Sequence, residues 1–158
     1  MQGGAVFGSV SDAQRVCLEP LREPAEKLAA ELGCLDRTTF TGWRTDIPDL
    51  MAASDIVIVS SYQEGFGLTM TEAMGASRPV IAYDTGAPPE VVCHGETGFI
   101  VCEGDFQALA ERSIELVQDP ALRHRMGAAG LARARDKFSV QRFLDETERV
   151  LAGVAGRA

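Results

Sequence analysis

The sequence predicts a doubly wound α/β domain built on a parallel sheet. Short β-like runs alternate with helical patterns over roughly the first hundred residues. The run Ile56-Val57-Ile58-Val59 has no polar break, as a strand buried on both faces requires. The length of 158 residues fits one domain and leaves no room for a second.

In chain order, Ala5-Val6-Phe7 before Gly8 reads as a first strand and its turn. Residues 23–32 show helix periodicity through Ala25, Leu28, Ala29 and Leu32, with Gly33 as the stop and Pro20 and Pro24 placed near the start. Thr38-Thr39-Phe40-Thr41 reads as a second strand, residues 47–53 as a short helix and residues 55–60 as the buried strand. A helix over 69–76, a strand over 79–83, a short helix near Pro89 and a strand over 99–101 follow. From residue 105 to 158 the pattern is helical. Asp105 is an N-cap before a face of Phe106, Leu109, Ile114 and Val117, and Asp119-Pro120 restarts a helix. Ser139 caps a last helix with Val140, Phe143, Leu144, Thr147, Val150 and Leu151 on one side.

Composition excludes several classes. At 46% hydrophobic and 24% charged the chain is neither disordered nor fibrous. No run approaches the ~18 apolar residues of a spanning helix, and residues 1–6 do not read as a secretory signal, so a cytoplasmic location is expected. Residues 1–105 hold six Lys and Arg against sixteen Asp and Glu, a net of −10, whereas residues 106–158 carry a net of +2. Such an acidic body repels nucleic acid, and Arg123, Arg125, Arg133, Arg135 and Lys137 read as a solvated helix face. Cys17, Cys34, Cys93 and Cys102 fit no metal spacing, and His94 and His124 read as loop or surface residues, so no metal or cofactor is expected.

In an open parallel sheet, ligands bind in the loops after the strands. The loop after the 55–60 strand is the most unusual one, because Gly65 and Gly67 let the backbone turn with bare N–H groups just before a helix. With the helix dipole this makes an anion site that needs no basic side chain. Glu64 before the loop and Glu72 within the helix can each accept from two neighbouring hydroxyls. An anionic centre between two polyhydroxylated parts describes a nucleotide sugar. Thr69-x-x-Glu72 is equally a capping box, and that bland reading stands beside the functional one.

The order of motifs resembles the glycosyl transferases of group 1 (GT4-type, GT-B fold). Residues 64–72 look like their E-x7-E motif, filled by Gly65-Phe66-Gly67-Leu68 and continued by Ala73-Met74. The likeness extends through Arg78-Pro79-Val80-Ile81-Ala82, Gly86-Ala87-Pro88-Pro89-Glu90 and Gly95-Glu96-Thr97-Gly98-Phe99. It also takes in Phe40-Thr41-Gly42, Ala53-Ser54-Asp55 and Lys137-Phe138-Ser139, so that residues 4–151 are nearly covered. It implies a Rossmann-like C-terminal, donor-binding domain over 1–158, with residues 105–158 as its helical part. The implied reaction transfers a sugar from a UDP-, GDP- or ADP-sugar to an acceptor hydroxyl, with retention of configuration and without a metal. Glu64 would be the catalytic carboxylate on the transferred sugar, and Glu72 would hold the ribose. Gly65, Phe66, Gly67, Leu68 and Thr69 would meet sugar and diphosphate, and Trp43 and Arg44 would lie near the base. Gly86 to Glu90 would shape the wall of the active-site cleft. Trp43 also has a plain reading, as cover for the core edge, and Pro88-Pro89 as a rigid turn before a short helix.

The family's donor domain opens with a strand and helix carrying a Lys/Arg diphosphate clamp, and no equivalent stands here. Ala5-Val6-Phe7 aligns with its second strand, and the N-terminal acceptor domain has no counterpart in these residues. In the strand order 3-2-1-4-5-6 the first strand is central, so its neighbours would face a gap. A remnant or interaction module of the same fold, or part of a nucleotide-sugar epimerase, are the alternatives. Peripheral membrane attachment through the absent domain is a further option. On this reading the purified chain is marginally stable, rearranged or prone to associate, binds nucleotide sugar weakly and transfers no sugar; a cooperative, monomeric melt at high temperature would count against it.

Overall fold

A computed structural model describes residues 12–155, with side chains from residue 21 onward. Its elements are α1 (Asp12–Glu31), a 3-10 turn (Leu35–Arg37), α2 (Ile47–Ala53), β1 (Val57–Val59), α3 (Leu68–Gly75) and β2 (Val80–Tyr83). They continue with α4 (Pro88–Val91), β3 (Gly98–Val101), α5 (Phe106–Gln118), α6 (Pro120–Lys137) and α7 (Val140–Ala155). The strands form one parallel sheet in the order β1-β2-β3. Val57 stands opposite Val80, and Val80 opposite Gly98.

Side-chain alternation along the strands divides the core in two. Val57, Val59, Val80 and Ala82 face Met51 of α2, Met70, Ala73 and Met74 of α3 and Val91 of α4. Ile81, Tyr83, Phe99 and Val101 face Leu116 of α5 and Leu122 and Met126 of α6. Helices on both faces of a parallel sheet are the predicted architecture. The sequence-derived cap at Asp105 is present, its carboxylate accepting from the Ala108 amide at 2.9 Å. Asp119 likewise accepts from the Leu122 amide at 2.9 Å, with Pro120 following.

Several expectations change. The strand expected at Ala5-Val6-Phe7 lies outside the described residues. Thr38–Thr41 is not in a strand: Thr38 has extended angles, φ −110° and ψ 128°, yet no neighbouring strand pairs with the segment among the described residues. Extended backbone becomes sheet only where a second backbone accepts its ladder. β1 likewise carries no strand on its outer edge among the described residues, the position at which the expected order leaves a gap. Helix α1 starts well before residue 23, so Pro24 lies inside it rather than near its start. The flanking residues 21–25 are exposed, and water can take the carbonyl that a proline leaves unpaired.

The α5 face is also rotated from its expected position. Leu116 is buried, whereas Phe106, Ile114 and Val117 are exposed. Two residues of the basic cluster turn inward instead of solvating a helix face. Arg123 Nη1 donates to the Leu116 carbonyl at 2.7 Å and the Val117 carbonyl at 3.0 Å, closing the end of α5. Arg133 donates to the carbonyls of Val91 (2.8 Å) and Glu90 (2.7 Å) at the end of α4.

α6 crosses the corner between α3 and β2 at very short range. A Cβ at Gly127 would stand 2.1 Å from the Ser77 carbonyl oxygen. That corner is rigid, since Ser77 holds a left-handed φ of 59° and the Ser77 and Arg78 amides bond back to Met74 and Ala73. Alanine raises intrinsic helix propensity over glycine by about 1 kcal/mol, but overpacking against a fixed backbone costs about 1–3 kcal/mol. Gly127→Ala is therefore expected to lower the urea midpoint at unchanged slope; a raised midpoint would show that α6 stands further off.

Candidate functional site

The candidate site forms at the carboxyl ends of β1 and β2, where the chain leaves the sheet toward α3 and α4. Leaving β1, it passes exposed Tyr62 and Gln63 to Glu64, which is half-buried. Gly67 then takes a left-handed conformation, φ 86° and ψ 48°, and becomes the N-cap of α3. Only a residue without Cβ adopts this turn at no steric cost. The Gly67 amide donates to Glu64 Oε1 at 3.1 Å, so the carboxylate folds back over the turn that follows it.

The start of α3 leaves backbone N–H groups without acceptors inside the helix, as every helix start does. Met70 and Thr71 are the first residues whose amides turn back to the Gly67 carbonyl, at 3.0 and 3.2 Å. The Leu68 amide, at the first helical position, has no acceptor within the helix. Leu68 is exposed and Thr69 buried. With the side-chain-free Gly67 at the N-cap, Thr69 is two positions inside the helix and does not occupy the capping position of a capping box. Glu72, about one and a half helical turns beyond Gly67, is exposed, and its carboxylate has no protein partner among the described residues.

Other candidates stand differently. Phe66 is half-exposed and meets the Phe138 ring edge-to-face at 6.1 Å, and the Arg133 guanidinium lies 5.6 Å from that same ring. The loop before α3 is thus steadied from the end of α6. Trp43 is 40% exposed and Arg44 lies beside it, in the stretch that leads into α2, which packs on α3. Arg44 is not a free cation. Its guanidinium forms a bidentate pair with Asp46, Nε to Oδ1 at 2.7 Å and Nη2 to Oδ2, which raises the arginine and lowers the Asp46 carboxyl from their ordinary ranges. Gly65 is exposed in the turn.

Residues 86–90, which the resemblance assigns to the cleft wall, make a contact with Glu64 that the sequence did not announce. The turn after β2 lies directly against Glu64: the Ala87 amide donates to the Glu64 carbonyl at 3.0 Å, and Glu64 and Gly86 pair as in a parallel ladder. Thr85 Oγ1 donates to the Ser61 carbonyl at 3.0 Å. Gly86 after a strand marked a turn here, but nothing local in the sequence says that the turn bonds to Glu64. Beneath the site, Tyr83 packs 6.3 Å from Tyr62, and burial, then the nearby Tyr62, Asp105 and Glu103, pushes its phenol up. Its hydroxyl is buried without a partner among the described residues. Among them, no three His, Cys, Asp or Glu side chains gather as metal ligands, and no helix is long and apolar enough to cross a membrane.

Known proteins resemble this chain in sequence and fold. The sequence profile of the family described as Glycosyl transferases group 1 matches residues 6–133. The lipopolysaccharide core biosynthesis glycosyltransferase LpsD of Rhizobium meliloti is 37% identical over 126 residues, 80% of this chain and 37% of that protein. The N-acetyl-alpha-D-glucosaminyl L-malate synthase of Bacillus anthracis is 32% identical over 78% of this chain and 32% of its own length. Among solved structures, Anabaena HepE in complex with UDP superposes with a TM-score of 0.83 at 31% identity, over 86% of this chain and 38% of that one. The C-terminal domain of a glycosyl transferase group 1 protein, LpcC of Francisella tularensis, gives a TM-score of 0.71 at 29% identity, over 87% of this chain and 70% of that one. The chain spans about a third of the length of these curated relatives. By the extent of the profile match and the shared fold, it belongs to the group 1 glycosyl transferases.

Proposed function

We propose that this chain is the donor-binding part of a retaining glycosyltransferase, which moves a sugar from a nucleotide diphosphate sugar to an acceptor hydroxyl. The observation that carries the reading is the turn from Glu64 to Leu68. It holds a half-buried carboxylate on the Gly67 amide and a helix start with N–H groups free of intrahelical acceptors, and Glu72, without a partner among the described residues, stands further along the same helix. Solved structures of the similar HepE hold UDP, UDP with glucose, and UDP-glucose, which supports a nucleotide-sugar ligand here.

In this reading the diphosphate lies against the amides of residues 66–69, where the helix dipole favours negative charge. Glu72 accepts from the ribose hydroxyls, and Glu64 from hydroxyls of the transferred sugar while acting at the reaction centre. Trp43 borders the base, which belongs to UDP, GDP or ADP. Preorganised N–H donors stabilise the diphosphate as it departs, so the electrostatic work needs no metal or other cofactor. The acceptor is held by a part of the protein outside these residues. Free thiols at Cys34, Cys93 and Cys102 agree with a reducing, cytoplasmic location. The exposed apolar side of α7, with Val140, Phe143, Val150 and Leu151, favours a second reading as an interaction module of the same fold.

Titration with UDP, GDP and ADP separates the two readings. Saturable binding of one nucleotide is expected, weakened about tenfold or more in Glu72→Ala, because hydrogen bonds to a charged group are worth about 1.5–3 kcal/mol each. If none of the three binds, even with a relative's preceding strand and helix fused ahead of the chain, the donor-site reading fails.

A further inference from the structure

We infer that the turn after β2 positions Glu64, with Gly86 and Thr85 as positioning residues that act on the donor through that carboxylate. The inference deepens the reading of Glu64 as a sugar contact, and its structural half stands on the chain alone.

The segment 61–64 lies beyond the end of β1 and has to be held from outside the strand. It is fastened at two main-chain points by the neighbouring turn. Thr85 Oγ1 grips the Ser61 carbonyl at 3.0 Å, and the Ala87 amide grips the Glu64 carbonyl at 3.0 Å. Between them Gly86 lies flat against Glu64. A Cβ there would stand 2.4 Å from the Glu64 carbonyl oxygen and 3.6 Å from its nitrogen. The φ of Gly86 is 82°, so a side chain is opposed both by space and by backbone conformation.

The turn is itself fixed from the far side. The Asp84 amide donates to the Val101 carbonyl at 3.0 Å, and the Glu103 amide donates to Asp84 Oδ1 at 3.0 Å. Position is therefore passed from β3 through the turn to the Glu64 main chain. From there the side chain reaches the Gly67 amide at 3.1 Å. Any displacement of the Glu64 carbonyl by a few tenths of an ångström swings the carboxylate at the end of a three-bond stem. Gly86 is exposed, so a methyl there fills no core and its effect falls on Glu64. A functional carboxylate held through its backbone by a second loop is preorganised before any ligand arrives.

The test follows the Gly67 amide of the isotope-labelled chain by NMR as pH passes through the carboxylate range. Its shift is expected to report ionisation of the carboxylate that accepts its hydrogen bond, and Glu64→Gln should abolish the response. Gly86→Ala and Thr85→Val should each lose it while the amides of Gly98 and Gly127 keep their shifts, and Thr85→Ser should restore it. If Gly86→Ala fails to fold, Thr85→Val against Thr85→Ser decides. A full Gly67 response in the folded variants overturns the inference. A second arm compares UDP-glucose with UDP: the advantage given by the sugar should fall about tenfold in Glu64→Gln and in Gly86→Ala, with no further loss when they are combined. If Glu64→Gln keeps that advantage while Gly86→Ala still loses the amide response, the donor reading fails and the positioning role stands.

Discussion

The described fold leans on β2, whose four side chains, Val80 to Tyr83, are all buried. A strand covered on both faces obliges helices to lie on both sides of the sheet, and parallel neighbours oblige every strand to exit at the same end. That end gathers the turns after β1 and β2, which belong to residues more than twenty positions apart. The pairing of Val59 with Ala82 continues, after a short interruption, as the pairing of Glu64 with Gly86. The site is thus a resumption of parallel pairing in two loops, shifted by one residue from the register of the strands. Its geometry inherits the stiffness of the core without being part of it.

Close approach recurs where this framework is tightest. At Gly98 an added Cβ would stand 2.0 Å from the Val80 carbonyl oxygen, and at Gly127 it would meet the α3–β2 corner. Each contact ties β2 or its entry corner to a neighbour through backbone alone. Arg133 adds a long-range tie between α6 and the end of α4, and through the Phe138 ring it also steadies Phe66. The helical tail is therefore coupled to the loop that begins with Glu64, although about seventy residues of chain separate them.

Much of this was legible in the sequence, for local physical reasons. Asp105 and Asp119 announced helix starts because a carboxylate two or three residues before a free amide satisfies it wherever the helix packs. The unbroken run 56–59 announced a buried strand, and Gly67 before Leu68 announced a turn into a helix. What failed depended on partners. Thr38–Thr41 has β-favouring residues, but a strand needs a second strand beside it. The α5 face was drawn through Phe106 and Ile114 because periodicity gives a stripe and not the neighbour it meets, whereas Leu116 was turned inward by the sheet. Arg123 and Arg133 looked like solvated charge because nothing local foretells the orphan carbonyls of another helix. Ser77 in a left-handed corner gave no glycine signal. In the site, the two glutamates and the glycines between them were readable, and the resemblance pointed to residues 86–90 as a wall, but the backbone contact of Gly86 and Ala87 with Glu64, being long-range, was not.

The fate of the cations sharpens the electrostatics of the site. Arg44 is held by Asp46, Arg123 by the end of α5 and by Asp55 at 3.6 Å, and Arg133 by the end of α4. These arginines neutralise fixed charges and dipoles of the protein. A diphosphate at the start of α3 would then be met by amide N–H groups and a helix dipole whose influence fades within one turn. Such a site attracts an anion while saying little about which anion it is. On the proposed reading, discrimination would come from the groups on either side that can count hydroxyls, the carboxylates of Glu64 and Glu72. The acidic charge of residues 1–105 fits this division of labour. It would supply acceptors for polyhydroxylated parts of the proposed ligand and leave its phosphates to the backbone.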